Sequence, residues 1–207
     1  MQITTTLDNV LASRGHVRVL RALDALPEGL GVSVRDLARR AGIGHPRAAE
    51  VLASLTEAGL TTVQRAGRAD LYQLNREHLL YPTLHRLFVD EASVTDALAQ
   101  FLRKGLSKRV DGVREAYIFG SVARGDSRPG SDIDLAVVAP GAETERVKQQ
   151  LEAIAAEVRR RFGSTLSIHA STQPLARRVR GRDGRDLWRR IADEGVRILP
   201  HGVASGE

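Results

Sequence analysis

The 207-residue chain contains no cysteine. That excludes disulfides, a thiolate nucleophile and Cys-ligated zinc. No apolar run is long enough to cross a bilayer, so no membrane partner is expected. The opening residues MQITTTLDNV lack the basic flank and apolar centre of a secretion signal, which makes the cytoplasm the expected location. The six histidines are scattered without metal-ligand spacing. Acidic residues are also in deficit, with 25 Asp and Glu against 31 Lys and Arg, for a net charge of +6. Such a surplus favours a polyanionic partner. Hydrophobic content of 42% and charged content of 27% are ordinary for a folded protein, and the length suits one large domain or two small ones.

Helical periodicity begins in SRGHVRVLRALDAL, where Val17, Val19, Leu20, Leu23 and Leu26 share a stripe that Pro27 and two glycines end. SVRDLARRAG follows, with Ser33 and Asp36 in an acidic variant of the capping box. After a turn at Gly42 and Gly44, HPRAAEVLASLTEAGL reads as a second helix with Pro46 in its first turn and Gly59 as its stop. Its inner face is expected to be Ala49, Leu52, Leu55 and Leu60. TTVQR, AGRA and DLYQL then make a hairpin. From about residue 12 to 75 the run resembles the winged helix-turn-helix of small bacterial repressors. The resemblance implies double-stranded DNA as a partner. His45 and Arg47 would face base edges, and Arg65 and Arg68 at the hairpin tip would reach phosphate or the minor groove. A reader of palindromic sites would also have to form a homodimer.

Residues 79–108 carry helical apolar stripes and read as a linker between a DNA-binding domain, 1–78, and a third segment, 109–207. The third segment holds FGSVARGDSRPGSDIDLAVV, residues 119–138. EAYIF and DIDLAVV read as two buried strands whose ends bring Gly120 and Ser121 to the same sheet rim as Asp132 and Asp134. Two carboxylates two residues apart on a strand share a face, and they repel each other unless a cation lies between them. Hard oxygen donors of this kind suit Mg²⁺ with substrate phosphates. Gly120 lets backbone approach a phosphate, Ser121 offers a hydroxyl and an amide, and Arg124 offers a guanidinium.

A Gly-Ser pair followed after ten residues by Asp-Ile-Asp resembles the signature of the DNA polymerase beta nucleotidyltransferase superfamily, in its minimal branch. The resemblance covers about residues 109–200. It implies an α/β (α+β) chain whose C-terminal part is a small mixed sheet with helices on one face. It also implies Mg²⁺-assisted transfer of a nucleoside monophosphate from a nucleoside triphosphate to an acceptor that the sequence does not identify, be it protein, RNA or a small molecule. Asp132 and Asp134 would be catalytic metal ligands, and Gly120, Ser121, Arg124 and Ser131 would bind nucleotide. The superfamily's third carboxylate, from a later strand, would fall near Ser167 or His169, and neither is acidic. A transcription regulator that only senses a nucleotide is therefore the alternative reading. An antitoxin that modifies its toxin, a use of this branch, is a weaker one. RRVRGRDGRD reads as a mobile basic loop, and LWRRIADEGVRIL as a helix and closing strand anchored by Trp188 and Ile191.

Overall fold

A computed structural model of the chain describes residues 6–67, 69–126, 130–180 and 185–199. The chain is α/β, with ten helices and two sheets among the described residues, and divides into two compact units, 1–92 and 93–207. The segment read as a linker is shared between them. None of the described helices is long and apolar enough to cross a membrane.

The first unit contains α1 (Thr6–Val10), α2 (Arg14–Asp24), β1 (Val32–Ser33), α3 (Val34–Ala41), α4 (His45–Glu57), β2 (Thr61–Ala66), β3 (Ala69–Leu74) and α5 (Tyr81–Ala92). Ser33 caps α3 as its sequence predicts, its Oγ accepting from the Asp36 amide at 3.2 Å. Gly42 stops the helix in the left-handed region. The strands form an antiparallel sheet in the order β1-β3-β2. Leu20, Leu37, Leu52, Leu55 and Leu60 are fully buried between helices and sheet. The inner face of α4 is Ala48, Val51, Leu52 and Leu55, with Ala49 only half-buried. The helical repeat from Leu52 reaches back to Ala48 rather than Ala49.

In the second unit, α6 (Val94–Arg109) leads to β4 (Glu115–Phe119), the short α7 (Gly120–Arg124) and β5 (Ile133–Val138). Then come α8 (Glu145–Phe162), β6 (Leu166–Ser171), α9 (Leu175–Arg180), α10 (Arg185–Glu194) and β7 (Val196–Leu199). The sheet order is β6-β5-β4-β7, antiparallel except for the β5–β6 pair, which α8 connects. One face buries Ala116, Ile118, Ile133, Leu135 and Val137 against α6 and α8.

The structure departs from the resemblance on the other face, which also carries helices. There Tyr117, Phe119 and Ala136 pack on Trp188 and Ile191 of α10, with Leu175 and Val179 of α9 alongside. The apolar spacing of Leu175 and Val179, one turn apart, explains why residues 177–180, the start of the stretch expected as a loop, are helical. Residues 181–184 of that stretch lie outside the described residues.

Candidate active site

Strand alternation sorts the site from the core. Ile133 and Leu135 face α6 and α8, so Asp134 belongs to the opposite face with Ala136. Asp134 is half-buried and pairs in register with Phe119, the last residue of β4. Gly120 comes next, with φ at +72°, a conformation in which an L side chain is strained. A Cβ built on Gly120 would collide with Asp134 Oδ2. Glycine is therefore required twice over, by the backbone angle and by the carboxylate against it.

Ser121 follows in the first turn of α7 and is half-buried, its hydroxyl without a hydrogen-bond partner among the described residues. Ser131 and Asp132 lie in the loop entering β5, the first half-buried and the second exposed. Among the described residues, neither the Asp132 nor the Asp134 side chain has a hydrogen bond or ion pair. Both are hard oxygen donors, the chemical type that suits Mg²⁺ with phosphate oxygens, and Asp134 is the one against the glycine turn.

Arg124 is placed differently from the other nucleotide-binding candidates. Its Nη1 donates to both Glu194 oxygens, at 3.1 and 3.0 Å, and its Nε to Asp126 at 3.3 Å. These hydrogen bonds, that to Glu194 foremost, raise its pKa above the ordinary arginine value. The clamp uses Nη1 and Nε and leaves Nη2 as the guanidinium donor outside it. Glu194 lies 70 residues away in sequence, and no local pattern signals it.

The parallel pairing sets Ser167 beside Asp134 and His169 beside Ala136. Both side chains are half-buried on the Asp134 face, with Ser167 Oγ 3.4 Å from His169 Nε2 and the His169 ring 5.5 Å from that of Phe119. Among the described residues no group of three or more acidic or histidine side chains is arranged to hold a metal.

Residues 100–180 match the family of the nucleotidyltransferase domain. The nucleotidyltransferase match covers less than half the chain, but it spans α7, both aspartates and β6. No curated protein matches the chain. Among solved structures, one described as "Crystal structure of the toxin-antitoxin with AMP-PNP" is similar at 19% identity and a TM-score of 0.37. That similarity covers 48% of this chain and 71% of that one.

The nucleic-acid candidates belong to the first unit. His45 opens α4 and is exposed. Arg47 is exposed but engaged, donating to Glu50 and to Ser13 Oγ, each at 2.9 Å. Arg65 is exposed on β2 and stands opposite Asp70 in register. Arg68 lies outside the described residues.

Proposed function

We propose that the second unit transfers a nucleoside monophosphate from a nucleoside triphosphate to an acceptor hydroxyl. The observation that carries this reading is the unpartnered Asp134 carboxylate against the Gly120 turn, with the unpartnered Asp132 carboxylate two residues before it. Asp132 and Asp134 would hold Mg²⁺, which when bound neutralises developing phosphate charge. The turn at Gly120 and the Ser121 hydroxyl bind the phosphates that leave as pyrophosphate. The sheet order then runs from the leaving-group side on β4, through Asp134 on β5, to β6. An acceptor oxygen entering over β6 is positioned to attack the α-phosphorus opposite the departing pyrophosphate. On that side His169 is the side chain able to take the acceptor's proton, with Ser167 within reach of its Nε2. Arg124 meets the phosphates through Nη2, and offers a bidentate contact through Nη1 only after leaving Glu194.

The first unit serves, in this reading, as a winged helix that brings the transferase to double-stranded DNA through His45, Arg47 and Arg65. A second reading draws on the lack of a third carboxylate near Asp134 among the described residues. In it the site binds nucleotide without transfer and alters DNA affinity.

The deciding experiment incubates the chain with each labelled nucleoside triphosphate, Mg²⁺ and cell lysate, beside the Asp132→Ala/Asp134→Ala variant. Label on an acceptor that disappears with the variant supports transfer. Nucleotide binding with no labelled acceptor supports the sensor, and loss of both sinks the two readings together.

A further inference from the structure

The positive charge is unevenly divided. Residues 93–207 hold 20 Lys and Arg against 15 Asp and Glu, whereas residues 1–92 hold 11 against 10. The surplus therefore resides in the unit read as a transferase, not in the unit read as a DNA reader. Part of it converges on one cleft between α6 and α8, about 230 Å³ in volume and lined by Phe101, Lys104, Gly105, Lys108, Arg109 and Arg161. None of these residues belongs to the aspartate site. Two of the chain's three lysines are among them.

One acid, Glu157, faces these four cations. Arg109 is forked on Glu157, with both hydrogen bonds at 3.0 Å. Lys104, Lys108 and Arg161 make no ion pair among the described residues. Helix carbonyl ends attract cations, which accounts for Lys108 and Arg109 in the last turn of α6 and Arg161 in that of α8. Lys104 lies before the last turn and is left unexplained by that effect.

Lys104 and Lys108 stand one turn apart, about 6 Å along the axis, on one exposed strip of α6. Gly105 keeps the floor open, since a Cβ there would press on Arg109 Nη2 at 3.2 Å. The Phe101 ring is already covered by the Arg161 and Arg109 guanidiniums, at 5.0 and 6.0 Å from its centroid. It is not free to stack a base. Small-molecule sites generally enclose about 300–1,000 Å³, so a smaller, open cleft suits one stretch of an extended ligand.

We infer that this cleft binds the phosphodiester backbone of a nucleic-acid strand, independently of base sequence and of the aspartate site. Because the inference does not use Asp132 or Asp134, it survives or fails apart from the proposed transfer.

The test titrates the full chain with labelled single-stranded RNA, single-stranded DNA of equal length and duplex DNA over a salt series starting near about 50 mM. Each neutralised phosphate contributes about −0.7 for a single strand, or about −0.9 for a duplex, to the slope of log affinity against log salt. Lys104→Gln/Lys108→Gln should therefore flatten the slope by about 1.4–1.8, and Arg161→Ala by about half as much. Lys148→Gln, at the third lysine, exposed on α8 and outside the cleft, should leave the slope unchanged, which separates the cleft from a general loss of positive charge. Whichever nucleic acid shows the flattening identifies the source of the backbone. Equal slopes for the double variant and the parent would overturn the inference. So would an absence of binding at low salt, or displacement by poly-glutamate as effective as by unlabelled RNA, which would mark the cleft as a site for any acidic polymer.

Discussion

Replacing Gly120 with alanine should separate two costs that usually come together. The first is conformational: φ of +72° charges an L residue about 1–2 kcal/mol. The second is local, because the new methyl would meet the Asp134 carboxylate. Forcing extra atoms into a packed site costs about 1–3 kcal/mol. Gly163 supplies the control, having nearly the same φ, +69°, with nothing within 4 Å of its built Cβ. Gly163→Ala should therefore lose only about 1–2 kcal/mol, and Gly120→Ala about 2–5 kcal/mol.

The chain's single tryptophan, Trp188, is 3% exposed in the core of the second unit, so its fluorescence reports unfolding of that unit alone. With a urea slope near 2 kcal/mol/M, the midpoint should fall by roughly 0.5–1 M for Gly163→Ala and roughly 1–2.5 M for Gly120→Ala. Nucleotide binding, measured well below either midpoint, should persist in Gly163→Ala and be lost in Gly120→Ala. Equal midpoint shifts, together with intact nucleotide binding in both variants, would refute the reasoning that joins Gly120 to Asp134.

Three further expectations concern charge, pH and packing. Asp134→Asn removes one of two neighbouring unpartnered carboxylates, so it should leave the urea midpoint unchanged or slightly higher while abolishing nucleotide transfer; a large loss of stability would mean that Asp134 serves the fold. His16 is buried, and burial first, then the Arg47 charge, lower its pKa below the ordinary 6.5. Its unfolded form then binds the proton more readily, so stability of the first unit is full above about pH 6.5 and declines as pH falls through that value. Unfolding followed by circular dichroism at pH 7.5 and 5.5 should show this decline in the parent and a smaller one in His16→Gln. Leu102 is fully buried under the sheet, and Leu102→Ala should lower second-unit stability by about 2–5 kcal/mol in the tryptophan signal.

What the sequence makes legible is whatever short spacing controls. The Ser33 cap, the Gly42 stop and the Gly120–Asp134 neighbourhood each follow from residues within about one strand or turn of one another. The arrangement of Ser167 beside Asp134 depends on the parallel register of β5 and β6, set by how α8 packs across the sheet, and only its approximate position was readable. The Arg124–Glu194 clamp joins residues 70 apart, and the cover of α9 and α10 over the second sheet face depends on Trp188 and Ile191 finding Tyr117 and Phe119. No periodicity encodes such contacts. The cleft of Lys104 and Arg161 is equally invisible in one dimension, since it exists only where two helix ends meet.

The place of β4 in the sheet sets a schedule for biosynthesis. This strand bears the Gly-Ser turn and lies between β5 and β7, and β7 begins at Val196, 77 residues after Phe119. At about 5–20 residues per second, translation leaves one edge of β4 unpaired for roughly 4–15 s. That edge carries the apolar run Ala116–Phe119, the kind of template on which nascent chains pair wrongly. Glu194, immediately upstream of β7, arrives in the same interval. Until then Arg124 has no Glu194 to hold it, only Asp126, and the growing polypeptide presents a half-matched guanidinium beside an open strand. A chaperone or a pause in translation that shields residues 115–124 during those seconds would act on yield of the folded protein without touching its final stability.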